Sequence, residues 1–289
     1  MGSGSHRDRG GGGLSRLIGH DGPVTTQLTD LDVALAAAAA GARVVRASYG
    51  GRLTRHAKSG LDFATNADLD AERAILEVIA AARPDDARVG EETGARDGSG
   101  SRRWLVDPLC GTLNFAAQTP LVAVNVALVD GSETLACASA DPISGETFWA
   151  GTQGAFVRRG GADEPIRPSS QSRLVDVNCD GPETLPFLGP QLLGDAAFRA
   201  AFGPRVMSTT LAVAWVATGR RAAYVSDGTF VDNVHFAAGI GLCRSSGCVV
   251  SDLAGDALNT RHGLIVAADS EVHEQLVALI GPHLAAMER

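Results

Sequence analysis

The stretch that most constrains this chain is Trp104-Leu105-Val106-Asp107-Pro108-Leu109-Cys110-Gly111-Thr112-Leu113-Asn114-Phe115. An apolar run of strand type ends on a carboxylate, followed by a rigid proline and a tight glycine turn. A second acidic cluster, Gly90-Glu91-Glu92-Thr93, precedes it. Two acidic groups, each closing an apolar run, suit a hard divalent cation held at a sheet edge. Cys110 stands where a third carboxylate would be wanted, so the chemistry of the chain turns on that position.

At 289 residues the chain has room for one large domain or two closely packed halves. Its 45% hydrophobic and 20% charged residues are those of an ordinary globular protein. No apolar run approaches the ~20 residues of a membrane span, so no membrane partner is expected. Residues 1–27, rich in Gly and Ser and without an apolar signal core, are expected to be a disordered tail or an expression remnant. The five cysteines, 110, 137, 179, 243 and 248, are odd in number and point to reduced thiols in a cytoplasm. Cys243 and Cys248 have no second pair to complete a zinc site. The net charge is −8 with no basic cluster, which argues against nucleic acid as a main partner. An acidic protein acting on an anionic substrate needs a metal between them.

Thr29-Asp30 followed by an apolar and alanine-rich run to Gly50-Gly51 predicts a capped helix. Residues 52–60 read as a polar loop, and Asp68 to Arg83 as a second helix halted by Pro84. Strands are predicted over Arg103–Val106, Leu121–Val129, Thr134–Ala140 and Thr147–Val157, giving an α+β half with an antiparallel sheet over 28–165. From 166 to 289 the rhythm becomes α/β. Strands are predicted at Leu174–Asn178, Val206–Ser208, Ala222–Ser226, Cys248–Asp252 and Leu264–Ala268. Helices are predicted over Thr209–Thr218 and Asp232–Ser246, with a terminal one capped by Ser270. The loop Arg158–Ser170 is the expected junction.

Thr65-Asn66-Ala67-Asp68, Gly90-Glu91-Glu92, Asp107-Pro108-Leu109-Cys110-Gly111-Thr112 and Val234-His235-Phe236-Ala237-Ala238-Gly239 all fall at element boundaries, where sites form. With these residues the chain, over roughly 28 to 285, resembles the inositol monophosphatase family of magnesium-dependent, lithium-sensitive phosphatases. The family hallmarks are G-E-E, D-P-[LI]-D-G-T-x-N-[FY] and W-D-x-A-A-G. Arg205, Ala217-Thr218-Gly219 and Ala223-Tyr224 match a further family segment. The resemblance implies a five-layer αβαβα sandwich of the inositol monophosphatase and fructose-1,6-bisphosphatase type, usually a homodimer, that hydrolyses a small phosphorylated metabolite. It further implies that Glu91, Asp107 and the Leu109 carbonyl hold a first Mg²⁺, and that Thr112, paired with Asp68, positions the attacking water. The loop around Lys58 and Ser59 would supply a further metal, and the N–H groups of Gly111 and Thr112 would cradle the phosphate. Glu91, Asp68 and Thr112 are therefore the expected catalytic set. Asp107, ending a rigid strand, is the natural bridge between two metals.

Two departures fall together. The family's second metal needs carboxylates at 110 and 235, and this chain has Cys110 and His235. Three readings are open. The second site is lost, with Cys110 a small buried thiol beside a hydrogen-bonded His235. Alternatively Asp107, Cys110 and His235 bind Zn²⁺, Fe²⁺ or Mn²⁺. Or Cys110 and His235 form a thiolate–imidazolium pair for covalent chemistry. Ser226 takes the place of an acidic substrate contact, leaving it a weaker candidate for substrate binding alongside Gly111, Thr112 and His235. Val234 replaces the family tryptophan and is expected to open space beside the phosphate. Asp232 is expected to be the N-cap of the following helix.

Overall fold

The two long N-terminal helices are each started by a reciprocal cap. In the computed structural model, which describes Met1 and residues 28–58, 62–180, 187–260 and 262–287, α1 spans Asp30–Ser48. The Thr29 hydroxyl accepts from Asp32 N, and the Asp32 carboxylate accepts from Thr29 N. A short antiparallel pair follows, β1 (Arg55–Ala57) and β2 (Phe63–Thr65), where the sequence reads as loop. Then comes α2 (Asn66–Ala82), capped in the same way by Thr65 and Asp68. The tail 2–27 and Ser59 lie outside the described residues.

A first sheet takes eight strands: β3 (Ala87–Gly90), β4 (Gly94–Arg96), β5 (Arg102–Cys110), β6 (Ala123–Asp130), β7 (Glu133–Ala140), β8 (Thr147–Gly151), β9 (Gly154–Arg159) and β10 (Ala162–Pro165). The short α3 (Thr112–Ala116) separates β5 from β6. Strand order is β10-β9-β8-β7-β6-β5-β3-β4. Neighbours run antiparallel except β3 and β5, which are parallel. The single predicted strand 147–157 is two strands, because Gly151 and Gly154 flank a tight hairpin with Gly154 at φ 109°.

The C-terminal half builds β11 (Leu174–Val177), α4 (Leu188–Gly194), α5 (Ala196–Ala201), β12 (Gly203–Val206), α6 (Leu211–Ala217), β13 (Ala223–Ser226), α7 (Ala237–Ser246), β14 (Val249–Ser251), β15 (Leu264–Ala267) and α8 (Ser270–Met287). Its sheet, ordered β12-β11-β13-β15-β14, is parallel over the first three strands and antiparallel around β15. The helices α4 and α5 have no counterpart in the sequence reading. The strand expected at 206–208 lies earlier, at Gly203–Val206.

Three apolar layers hold the elements together. Val33, Ile75, Trp104, Val106 and Val124 join α1 and α2 to one face of the large sheet. Leu105, Phe148, Val213, Ile240 and Tyr224 fill the space between that sheet, α6 and α7, and the small sheet. Val175, Phe198, Ile265 and Leu276 join the small sheet to the outer helices. The result is the five-layer αβαβα order. On β5 the pleat sends Trp104 and Val106 to the first layer and Leu105 to the second. Asp107, two residues beyond Leu105, shares the second face, toward α7. Among the described residues no helix is long and apolar enough to cross a membrane.

Candidate active site

The one parallel pair in the large sheet decides where the carboxylates meet. Gly90 lies opposite Val106, and Glu91 N donates to Val106 O at 3.1 Å, so the register carries on one residue beyond β3. Glu91 therefore emerges beside Asp107 at the carboxyl ends of two adjacent strands. Asp107 is fully buried. The turn after Glu91 is held from below by Glu72 of α2, also fully buried, which accepts from Glu92 N and Thr93 N, both at 2.8 Å, and from Thr93 Oγ1 at 2.5 Å. A Cβ at Gly90 would stand 2.5 Å from Glu72 Oε1, which is why that position is glycine.

Beyond Asp107 the β5–β6 register shifts, at the point where Pro108 offers no N–H to the ladder. Asp107 Oδ1 accepts from Leu109 N at 3.0 Å, fixing the carboxylate. Gly111 has φ 97°, and a Cβ there would lie 2.9 Å from the Leu121 carbonyl oxygen. The reversal delivers Thr112, whose hydroxyl reaches Asp68 Oδ1 at 2.9 Å and the Leu109 carbonyl at 3.2 Å. Asp68 serves two structures at once. Its other oxygen caps α2 through Thr65 N at 2.7 Å and Thr65 Oγ1 at 2.6 Å. Burial pushes the Asp68 carboxyl upward against these hydrogen bonds.

The second wall comes from the segment before α7. Asn233 Oδ1 accepts from His235 N at 3.0 Å and Phe236 N at 3.3 Å, which orients the segment. His235 Nδ1 lies 2.8 Å from Asp107 Oδ2 and 3.9 Å from Glu91 Oε2. Cys110 Sγ accepts from Thr210 N at 3.3 Å. The ligand atoms of Asp107, Cys110 and His235 all lie within 4.8 Å of one another. From a third direction Lys58 Nζ reaches Glu91 Oε1 at 2.9 Å and Glu92 Oε1 at 2.8 Å.

These neighbours set the charges. Burial, then repulsion from Asp107, pushes the Glu91 carboxyl up to about 8. Burial alone would lower the His235 imidazole, but the Asp107 charge and hydrogen bond prevail and raise it to about 9. Burial opposes the charge on Lys58, yet its bonds to Glu92 and Glu91 raise it further. Burial, reinforced by Asp107, pushes the Cys110 thiol well up. His235 Nδ1 is engaged by Asp107 and Cys110 Sγ by Thr210 N, and burial disfavours a thiolate at Cys110, none of which supports a thiolate–imidazolium pair.

Above this cluster opens a cleft of about 580 Å³, lined among others by Asp62, Glu91, Leu109, Cys110, Gly111, Thr112, Asp180, Tyr224 and His235. No Lys or Arg is among the described residues that line it. A bound cation would offset the carboxylates that line the cleft against an anionic substrate. Glu91 Oε2 is a buried oxygen without a hydrogen-bond partner, a donor that fits a cation. Glu91, Asp107 and the Leu109 carbonyl are hard oxygen donors that fit Mg²⁺. The donors Cys110 and His235 do not.

Three expectations are corrected. Ser226 is buried away from the cleft, its hydroxyl donating to the Asp227 carbonyl at 2.9 Å and accepting from Asn178 at 3.1 Å. Asp232 caps no helix, since α7 begins five residues later and Asp232, at φ 49°, grips Arg103 of β5 at 2.7 and 2.8 Å. Val234 packs against the central core and does not line the cleft. Glu72 and Asn233 escaped the sequence reading. Glu72 is a polar residue on the apolar face of a predicted helix, and that anomaly could have flagged it.

The sequence profile of the inositol monophosphatase family matches residues 26–285 of this chain. The chain belongs to the inositol monophosphatase family. It is 31% identical over 232 residues to the inositol-1-monophosphatase of Caulobacter vibrioides, covering 76% of this chain and 88% of that one. Among solved structures it resembles the extragenic suppressor protein SuhB of Bartonella henselae, with TM-score 0.75, 28% identity, and 86% and 97% of the two chains covered. A solved inositol monophosphatase–fructose 1,6-bisphosphatase superposes with TM-score 0.72 over 87% of this chain and all of that one, and at 18% identity it supports the shared fold alone.

Proposed function

We propose that this chain is a divalent-metal-dependent phosphomonoesterase that acts on a small phosphorylated metabolite. The observation that carries the reading is the pairing of Glu91 and Asp107 at adjacent strand ends, with a buried Glu91 oxygen that has no hydrogen-bond partner, beside a cleft with no Lys or Arg among the described residues that line it. A bound Mg²⁺ supplies charge neutralisation of the phosphate and acidification of a water. Glu91, Asp107 and the Leu109 carbonyl would hold it. The Thr112 hydroxyl has one proton, and the shorter of its two contacts commits it to Asp68. Its oxygen is then free only to accept, so a water bound there would donate a hydrogen bond to Thr112 and turn a lone pair toward the phosphate. Backbone N–H groups of Gly111 and Thr112, on the cleft wall, supply anion contacts.

The test is a matrix of phosphate esters, including inositol phosphates and sugar phosphates, against Mg²⁺, Mn²⁺ and Zn²⁺, with release of inorganic phosphate measured. Turnover dependent on metal with at least one ester is expected. A second reading, a catalytically silent ligand-binding protein on the same scaffold, is favoured by Lys58 and His235, which already place positive charge on Glu91 and Asp107. No phosphate release with any metal, together with retained ligand binding, would select it.

A further inference from the structure

The geometry points to a borderline-metal site made by Asp107, Cys110 and His235, distinct in chemistry from the hard oxygen site beside it and selective for Zn²⁺ or a similar ion over Mg²⁺. It rests on the proposed metal centre only in sharing Asp107. One oxygen, one sulfur and one imidazole nitrogen lie within 4.8 Å of one another. Cys110 and His235 both line the cleft, so a fourth position is open to solvent or substrate. Three protein ligands and one open position are the pattern of reactive rather than structural zinc. Thiolate and imidazole prefer such ions, whereas Mg²⁺ prefers oxygen and dehydrates reluctantly.

Each ligand is also held by a neighbour. Thr210 N donates to Cys110 Sγ at 3.3 Å, a bond that steadies the sulfur once it carries charge. Leu109 N fixes Asp107 Oδ1 and leaves Oδ2 toward His235. Asn233 pins the backbone of His235. Loss of supports of this kind typically costs about 10–100-fold in metal affinity. On binding, the ion takes the place of the proton shared by His235 and Asp107, and the Cys110 thiol proton also leaves to solvent, so charge balances.

The experiment strips the full-length protein with chelator and titrates it with Co²⁺, which reports its ligands by absorption. One equivalent is expected to develop thiolate-to-cobalt charge transfer in the near ultraviolet, to be displaced by Zn²⁺ and to resist Mg²⁺. Cys110→Ser should remove the charge-transfer band and weaken Zn²⁺ roughly 100-fold. His235→Gln should weaken Zn²⁺ comparably, and Cys110→Asp should shift preference toward Mg²⁺ or Mn²⁺. Folding of each variant is checked by its thermal transition. Cobalt binding without a sulfur band in the wild type, or wild-type Zn²⁺ affinity in folded Cys110→Ser, overturns the assignment. Sulfur-ligated cobalt with no ester hydrolysed by any metal would leave this site standing and overturn the phosphatase reading alone.

Discussion

The two walls of the cleft are built by different means. The wall of Asp68, Glu91, Asp107 and Thr112 is fixed by regular structure: a parallel strand pair, a buried capping box and a glycine turn. The facing wall of Asn233 and His235 is irregular chain ahead of α7, tied back to β5 at two points, Asp232 to Arg103 and His235 to Asp107. The first wall offers hard oxygen. The second offers an imidazole and completes a set with the Cys110 thiol on the first. Rigid construction thus accompanies the donors that must not move, while the donors that set ion preference arrive on a segment held by side-chain bonds.

Breaking the residue common to both walls gives the largest effect. Asp107→Asn keeps the shape but removes the charge that both donor sets share, so calorimetry should detect no binding of Mg²⁺, Mn²⁺ or Zn²⁺. Unchanged affinity for all three would sink the proposed centre. Next comes a variant confined to the rigid wall. Thr112→Val removes the hydroxyl that orients water and should cut turnover by about 10²–10⁴-fold with little change in metal affinity. Loss of metal binding instead would assign Thr112 to the ion.

Much of the rigid wall is legible in the sequence, because its cause is local. Thr65 and Asp68 form a cap at fixed spacing, and Asp107 to Thr112 spell a strand end and turn. The facing wall is legible only as a resemblance. Asp232 is a natural cap residue by composition, yet no side chain caps α7, Asn233 bonds the segment before it, and Asp232 is claimed by Arg103, 129 residues distant. Long-range pairing of this kind leaves no periodic trace. The same applies to Ser226, whose motif position suggested substrate while the end of β13 faces Asn178. Glu72 is hidden for another reason: its three donors come from a turn twenty residues on, set by the β3–β5 register.

Glu72 offers a sharper test of whether rigidity of the first wall matters for the ion. Glu72→Gln keeps the volume but replaces one acceptor by a donor facing N–H groups, costing about 1.5–3 kcal/mol by urea unfolding. Weaker Mg²⁺ binding should accompany it, as the Glu91 turn loosens. Stability lost with Mg²⁺ affinity intact would show that the turn does not need its buried support.

The charge state of the walls gives the next effect. Glu91 is raised to about 8 and His235 to about 9, both above their unfolded values. Each therefore binds its proton more tightly when folded, and the stability this contributes is lost as pH rises through the folded value. In chelator the melting temperature should fall between pH 6 and pH 9, on the order of 5 °C. Zn²⁺ should reverse the trend, because it replaces the protons that leave. A melting temperature in chelator that is flat or rising over this range would contradict the site electrostatics.

The smallest effect separates the tether from the ligand. Asp232 and Arg103 pair through two bonds, with side chains 45% and 31% exposed, so Asp232→Ala should cost no more than about 1 kcal/mol of stability. Arg103 and Asp107 stand on one strand, β5, and their partners Asp232 and His235 on one short segment, so the pair acts as an outer hinge for the imidazole. Releasing it leaves every donor in place but frees the segment to move. The variant should therefore weaken Zn²⁺ several-fold while leaving Mg²⁺ affinity unchanged, since the hard donors belong to the other wall. Equal loss for both ions would mean that the walls are one mechanical unit, and that ion preference is set by the donors and not by how they are held.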